Sequence, residues 1–126
     1  MIKRLLTVSM LLASCPARAG WVNIAEDGAS ATYGDPTTIE RKGDAASLAV
    51  LVNYAAPRRL VELAYQSQKR RIEFNCAAAE SRVLDTTLHA GAMGEGKVVY
   101  EDPSPKDWNA VEPDSAFAKL RALACR

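Results

Sequence analysis

The stretch from Ala64 to Cys76, AYQSQKRRIEFNC, constrains the fold of this chain more than any other. Ile72, Phe74 and Cys76 recur at period two, which puts them on one side of an extended strand, the side a sheet buries. Before them, Gln66 through Arg71 is polar on both faces, so the start of the strand is expected to be solvent-exposed or curved away from the core. The strand ends on a cysteine, and a second one, Cys125, stands next to the C-terminus. If the two pair, the last element of the chain is stapled back onto the sheet.

Whether they pair depends on the compartment, and the N-terminus speaks to that. Met1-Ile2-Lys3-Arg4 is a short positive start. Leu5 to Ala13 is an apolar run too short for a membrane span of about 20 residues. Ala17-Arg18-Ala19 ends in the small-residue pattern of a cleavage site. Residues 1–19 therefore read as a secretion signal and residues 20–126 as one exported domain. Leu12-Ala13-Ser14-Cys15 also fits a bacterial lipobox, in which Cys15 would be lipidated and anchor the domain to a membrane. Pro16 directly after the cysteine and the well-formed site at Ala19 favour plain cleavage. The destinations consistent with export are the periplasm and the outer membrane or cell surface.

Composition is that of an ordinary globular domain, with 48% hydrophobic and 25% charged residues. Cleavage after Ala19 removes Lys3, Arg4 and Arg18 of the 16 bases, leaving them outnumbered by the 15 acids. A mildly acidic domain argues against a general nucleic-acid binder, which carries a strong basic excess. Of the three cysteines, Cys15 is cleaved away or lipidated, and Cys76 and Cys125 are an even number in an oxidising compartment. A disulfide between them would stabilise the domain by about 4 kcal/mol on the chain-entropy account. The alternative is two free buried thiols acting as small hydrophobes.

The rest of the chain alternates. Trp21 to Ala25 reads as a first strand, with Glu26-Asp27-Gly28 as a turn and Ala29 to Tyr33 as its hairpin partner. Asp35-Pro36 interrupts, because the residue before a proline avoids the helical region, and Thr38 to Lys42 follows as a short strand. From Ala45 to Tyr54, Leu48, Val50, Val52 and Tyr54 share one face and Ser47, Ala49, Leu51 and Asn53 the other, which predicts a central strand covered on both sides. Ala55-Ala56-Pro57-Arg58-Arg59 breaks the pattern. After Cys76, Arg82 to His89 alternates again, and a glycine-rich link, Gly91 to Gly96, leads to a last strand at Lys97 to Tyr100. An irregular stretch runs from Asp102 to Pro113. Asp114-Ser115 then offers N-caps to a helix ending near Cys125, with Phe117, Leu120 and Ala124 on one stripe, Leu123 at its margin, and Lys119 and Arg121 outside it. Short turn-like connections predict an α+β fold: a single antiparallel sheet of about six strands with one C-terminal helix packed on it.

Three features invite a chemical reading. Gly91 to Lys97, GAMGEGK, fits G-x-x-x-x-G-K, but Val98 stands where a phosphate-binding loop needs a hydroxyl, and a strand follows instead of a helix. Glycines permitting a positive-φ turn between strands account for it better. His89 is the only histidine, so a metal site with several close ligands is not indicated. No G-x-S-x-G elbow marks a nucleophilic serine either, and a surface or strand-end histidine is expected. No cofactor is implied. The third feature is basic: Arg58-Arg59, and Lys69 with Arg71 on one face of the strand while Arg70 points to the other. If Arg58 and Arg59 fold beside Lys69 and Arg71, the patch suits an acidic protein segment or an anionic polymer. The competing explanation is a solvated charged strand that blocks edge-to-edge aggregation. An exposed strand also leaves a homodimer open.

Dispersed positions over the whole mature chain carry a resemblance. They are Trp21-Val22, Tyr33 with Asp35-Pro36, Asn53-Tyr54 before Pro57, and Tyr65-x-Ser67-x-Lys69 leading to Cys76. Gly91-x-Met93-Gly94-x-Gly96 before Val98-Val99, Trp108, Pro113-x-Ser115 and Cys125 complete the set. In these the chain resembles the bacterial surface-adhesin protein E family, departing from it at Gly34, where another aromatic or polar residue is frequent. The resemblance implies an antiparallel sheet with a C-terminal helix tied across it by Cys76–Cys125. It also implies a non-enzymatic, adhesin-like envelope protein whose partner is a host matrix protein or an anionic polymer, since the family's namesake is an outer-membrane lipoprotein that binds host matrix and plasma proteins. The alternative reading is a soluble periplasmic structural or stress-related module with no host ligand. No binding residue is carried over, because the shared positions look structural.

Overall fold

The computed structural model of the chain describes residues 20–126; the segment read as a secretion signal, with Cys15, lies outside them. Seven strands form one antiparallel sheet. They are β1 (Val22–Glu26), β2 (Ser30–Lys42), β3 (Ala45–Leu60), β4 (Leu63–Asn75), β5 (Glu80–His89), β6 (Val98–Asp102) and β7 (Asn109–Ala110). The first six lie side by side in chain order, and the two-residue β7 pairs with the start of β5, opposite Glu80 and Ser81. A single helix, α1 (Ala116–Ala124), follows.

Alternation decides the core. Ala46, Leu48 and Val50 of β3 and Ile72 and Phe74 of β4 point to one side, where Leu120 and Ala124 of α1 close over them. Phe117 meets Phe74 edge-on with ring centroids 6.3 Å apart. The helix begins where Ser115 Oγ accepts the Ala118 N–H at 3.1 Å, an N-cap that satisfies one donor of the first turn. At the other end Arg121, outside the apolar stripe, donates from Nε to the Asn75 carbonyl and from Nη2 to the Cys76 carbonyl, both at 2.9 Å. The Cys76–Cys125 disulfide lies beside these bonds and ties α1 to the end of β4. Gly34 of β2 lies under the helix: a β-carbon there would sit 3.1 Å from Leu120 Cδ2 and 3.3 Å from Leu123 Cδ2.

Two interruptions expected from the sequence are absorbed as bulges. Asp35-Pro36 does not end a strand; β2 runs through it with a register shift between Asp35 and Glu40. Proline has no N–H to give a ladder, and side chains fill the gap. The Asp35 carboxylate accepts the Thr37 N–H at 2.9 Å and its hydroxyl at 2.6 Å, and the Ala49 N–H turns to Thr38 Oγ1 at 2.8 Å. Ala55 to Arg59 likewise stays in β3, with the shift falling between Asn53 and Arg58. The expected exposure of early β4 holds only for Leu63 and Ala64, because Ser67 and Gln68 are buried at 0% and 8% exposure. β7, within the stretch expected to be irregular, gave too short a signal to find.

Candidate functional site

The four bases singled out from the sequence do not converge. Lys69 and Arg71 share the face of the sheet away from α1, as period two requires. There Arg71 Nη2 is bound to Ser47 Oγ at 3.0 Å and to Glu40 Oε2 at 3.1 Å. The Lys69 stem packs on the Gly91–Gly96 loop, where a side chain at Gly94 would collide with it. Arg71 is thus paired within the domain, whereas Lys69 is held there only through its stem. Arg58 and Arg59 lie elsewhere, on the part of the β3–β4 hairpin that extends past the bulge, where Arg58 pairs with Tyr65 and Arg59 with Ala64.

What the structure gathers instead is Tyr54, Arg58, Tyr65 and Arg70. The Arg58 guanidinium sits 4.2 Å above the centroid of the Tyr54 ring, a cation–π contact, and the Tyr65 ring meets Tyr54 edge-on at 5.8 Å. Gln68 Nε2 donates to the Tyr54 hydroxyl at 3.0 Å. Burial, and then the neighbouring Tyr65, raise the Tyr54 pKa, while the positive charges of Arg58 and Arg70 pull it back. Tyr54 is therefore a neutral phenol between two cations throughout the physiological range. Arg70 carries a buried Nε with no hydrogen-bond partner. Its place was readable in principle: it alternates against Lys69 and Arg71 and so faces the Tyr54 side.

The Gly91–Gly96 loop turns several of its donors inward rather than toward a common anion site. Gly91 N–H bonds Glu95 O at 3.1 Å, Met93 N–H bonds Asn53 Oδ1 at 2.7 Å, and Gly94 N–H bonds Ser67 Oγ at 2.8 Å. His89 stands at the end of β5 as expected, but it is buried, at 7% exposure. Its Nε2 lies 3.0 Å from Thr87 Oγ1, and Nδ1 has no partner in hydrogen-bonding geometry. Burial, then Lys69, lower its pKa, and the nearby Gly96 backbone offsets only part of that. Among the described residues, no group of three or more His, Cys, Asp or Glu side chains could hold a metal ion. No helix there is long and apolar enough to cross a membrane.

A groove of about 350 Å³ lies between α1, β5 and β7, walled by Val83, Val111 and Phe117. Two bases at its rim are paired, Arg82 with Glu73 at 2.9 Å and Lys106 with Asp102 at 2.6 Å, while the Glu112 carboxylate has no ion pair among the described residues.

A sequence profile described as surface-adhesin protein E matches residues 21–126. The chain belongs to this family. Its fold is similar to solved structures of Haemophilus influenzae protein E. One has a TM-score of 0.69 at 16% identity and covers 86% of this chain and 85% of that one. A second crystal form gives 0.70 at 16% identity over 86% and 88%. Protein E from non-typeable H. influenzae gives 0.66 at 16% identity over 86% and 76%. At such identities the likeness carries the fold alone. No curated protein matches the chain. The residues that resemble the surface-adhesin protein E family are mostly structural here. Ser67 and Gly94 hydrogen-bond to each other, Trp108 packs under the Arg82 guanidinium at 4.9 Å, and Cys76 and Cys125 form the staple. Tyr54 and Tyr65 alone among them frame the cationic cluster.

Proposed function

We propose that this chain is an exported, non-catalytic adhesion domain of the bacterial envelope. It binds an acidic protein segment or an anionic polymer through the Tyr54–Arg58–Tyr65–Arg70 face. Family membership supports the adhesin class, and the Arg58 contact on Tyr54 at 4.2 Å is the observation that carries the site. A guanidinium held over an aromatic ring can still present N–H donors to a partner, and such donors match carboxylate and sulfate oxygens bidentately. The proposal includes cleavage after Ala19, which releases the domain, in preference to lipidation at Cys15.

Titration of matrix proteins and heparin-like polymers against residues 20–126 tests the site. Saturable binding that falls about tenfold in Arg58→Glu is expected, the size of one close charge contact turned repulsive. Unchanged affinity in that variant, or no saturable partner, would overturn it. Intact mass of the native protein from membrane and soluble envelope fractions tests the processing. A soluble species beginning at Gly20 is expected, and a membrane species beginning at a lipid-modified Cys15 would reverse that part.

A further inference from the structure

Past Tyr54 and Ser67, the β3–β4 hairpin leaves the sheet. The last β2 partner of β3 is Ser30, opposite Tyr54, and the first β5 partner of β4 is His89, opposite Ser67. The hairpin between them is a two-stranded ribbon with no third strand on either side. At its end stand Leu60 at 39%, Val61 at 89% and Leu63 at 41% exposure. Single exposed apolar residues are ordinary, but these three crowd one projecting tip.

The backbone adds an independent observation. Leu60 pairs with Leu63, so Val61 and Glu62 form a two-residue turn, and Val61 has φ 56°. Glycine, asparagine or aspartate suits such a position, whereas a β-branched residue there is an outlier. The chain thus holds a strained valine almost wholly in water, where neither local backbone energy nor packing within the domain favours it. Behind the tip, alternation places Arg58 and Arg59 on opposite faces of the ribbon, against the single acid Glu62.

We propose that this tip docks on an anionic phospholipid surface, with Leu60, Val61 and Leu63 entering the headgroup layer and Arg58 and Arg59 pairing with lipid phosphates. Shape favours lipid over a protein partner: a convex tip one turn wide needs a preformed pocket in a protein but none in a fluid interface. Charge agrees, since basic residues flanking an inserted apolar group are drawn to an anionic leaflet. Guanidinium donors also match phosphate oxygens. Apolar transfer supplies the share of affinity that salt does not screen. Glu62 limits the depth, because its carboxylate stays with the headgroups. This goes beyond the adhesion reading, with which it shares Arg58 but not Leu60, Val61 or Leu63. The tests turn on Val61, so either reading can fail alone.

Residues 20–126 contain the whole core and both bonded cysteines, and they suffice for the experiment. Co-sedimentation is measured with vesicles of equal parts phosphatidylcholine and phosphatidylglycerol, and with phosphatidylcholine alone. The parent is expected to pellet with the anionic vesicles only. Val61→Asp should lower the partition coefficient about tenfold, as expected for an apolar side chain withdrawn from the interface. Val61→Gly is the decisive variant: it relieves the positive φ, so its melting temperature should rise while its partitioning falls. Glu62→Gln should strengthen partitioning. Absence of parent binding to anionic vesicles would overturn the proposal. So would binding that Val61→Gly leaves intact, which would mean that the arginines act without insertion. Binding to polyglutamate that falls in Val61→Gly as the vesicle binding does would instead identify an acidic polypeptide as the occupant of the tip and overturn it too.

Discussion

Ser67 Oγ accepts the Gly94 N–H at 2.8 Å across 27 positions of chain, and its own hydrogen goes to the Gly91 carbonyl at 2.7 Å. One hydroxyl, on a residue at 0% exposure, thus joins β4 to two points of the glycine turn that covers Leu51. Gly94, at φ 72°, supplies the left-handed backbone that aims its N–H at the serine. Ser67→Ala should destabilise the domain by about 1–3 kcal/mol, because it strands a half-buried donor and a half-buried acceptor together. Urea unfolding checks the magnitude, and amide exchange of Met93 and Gly94 checks the place.

Gly34 and Leu120 meet across the sheet–helix interface with no room for a branched side chain. Gly34→Val should lift α1 and destabilise by about 1–3 kcal/mol through overpacking. Thermal melts measure the loss. A Gly34→Val, Leu120→Ala double variant should lose less than the sum of the single changes, since each relieves the other's misfit.

Cys76→Ser, with Cys125→Ser to avoid a free thiol, opens a loop closed over a separation of 49. The chain-entropy account expects a loss of about 4 kcal/mol. The Arg121 bonds to the Asn75 and Cys76 carbonyls should retain part of the helix docking. Adding Arg121→Ala to the reduced pair should therefore cost more than it does in the oxidised parent, as compared by denaturant midpoints.

His89 makes stability pH-dependent. Its folded pKa lies below the ordinary value of 6.5, so the unfolded chain takes up the proton first as pH falls. Its contribution is complete above about pH 6.5 and is lost as pH drops from there toward the folded pKa. The slope from this one group cannot exceed about 1.4 kcal/mol per pH unit. Melts between neutral and acidic pH should show the decline, and His89→Gln should flatten it.

Alternation along β3 and β4 told which residues meet α1, and the stripe of Phe117, Leu120 and Ala124 told which helix face meets them. The cysteine pair was legible from parity and compartment. The candidate site was legible only in part. Arg58 and Tyr54 were each visible, but a four-residue bulge that brings one over the other leaves no periodic trace. Lys69 and Arg71 were read as free, yet their partners Glu40, Ser47 and the Gly94 turn are contributed by distant segments.

The sequence by itself determined the strand faces, the helix and its Ser115 cap, and the staple, because each rests on side-chain chemistry repeating or pairing over short distances. Tertiary structure alone decided that Ser67 and His89 are buried, that Gly34 lies under the helix and that the β3–β4 hairpin outruns its neighbours. Those outcomes depend on strand register and on where adjacent strands stop. Both are properties of pairs of segments, set by contacts far apart in the chain.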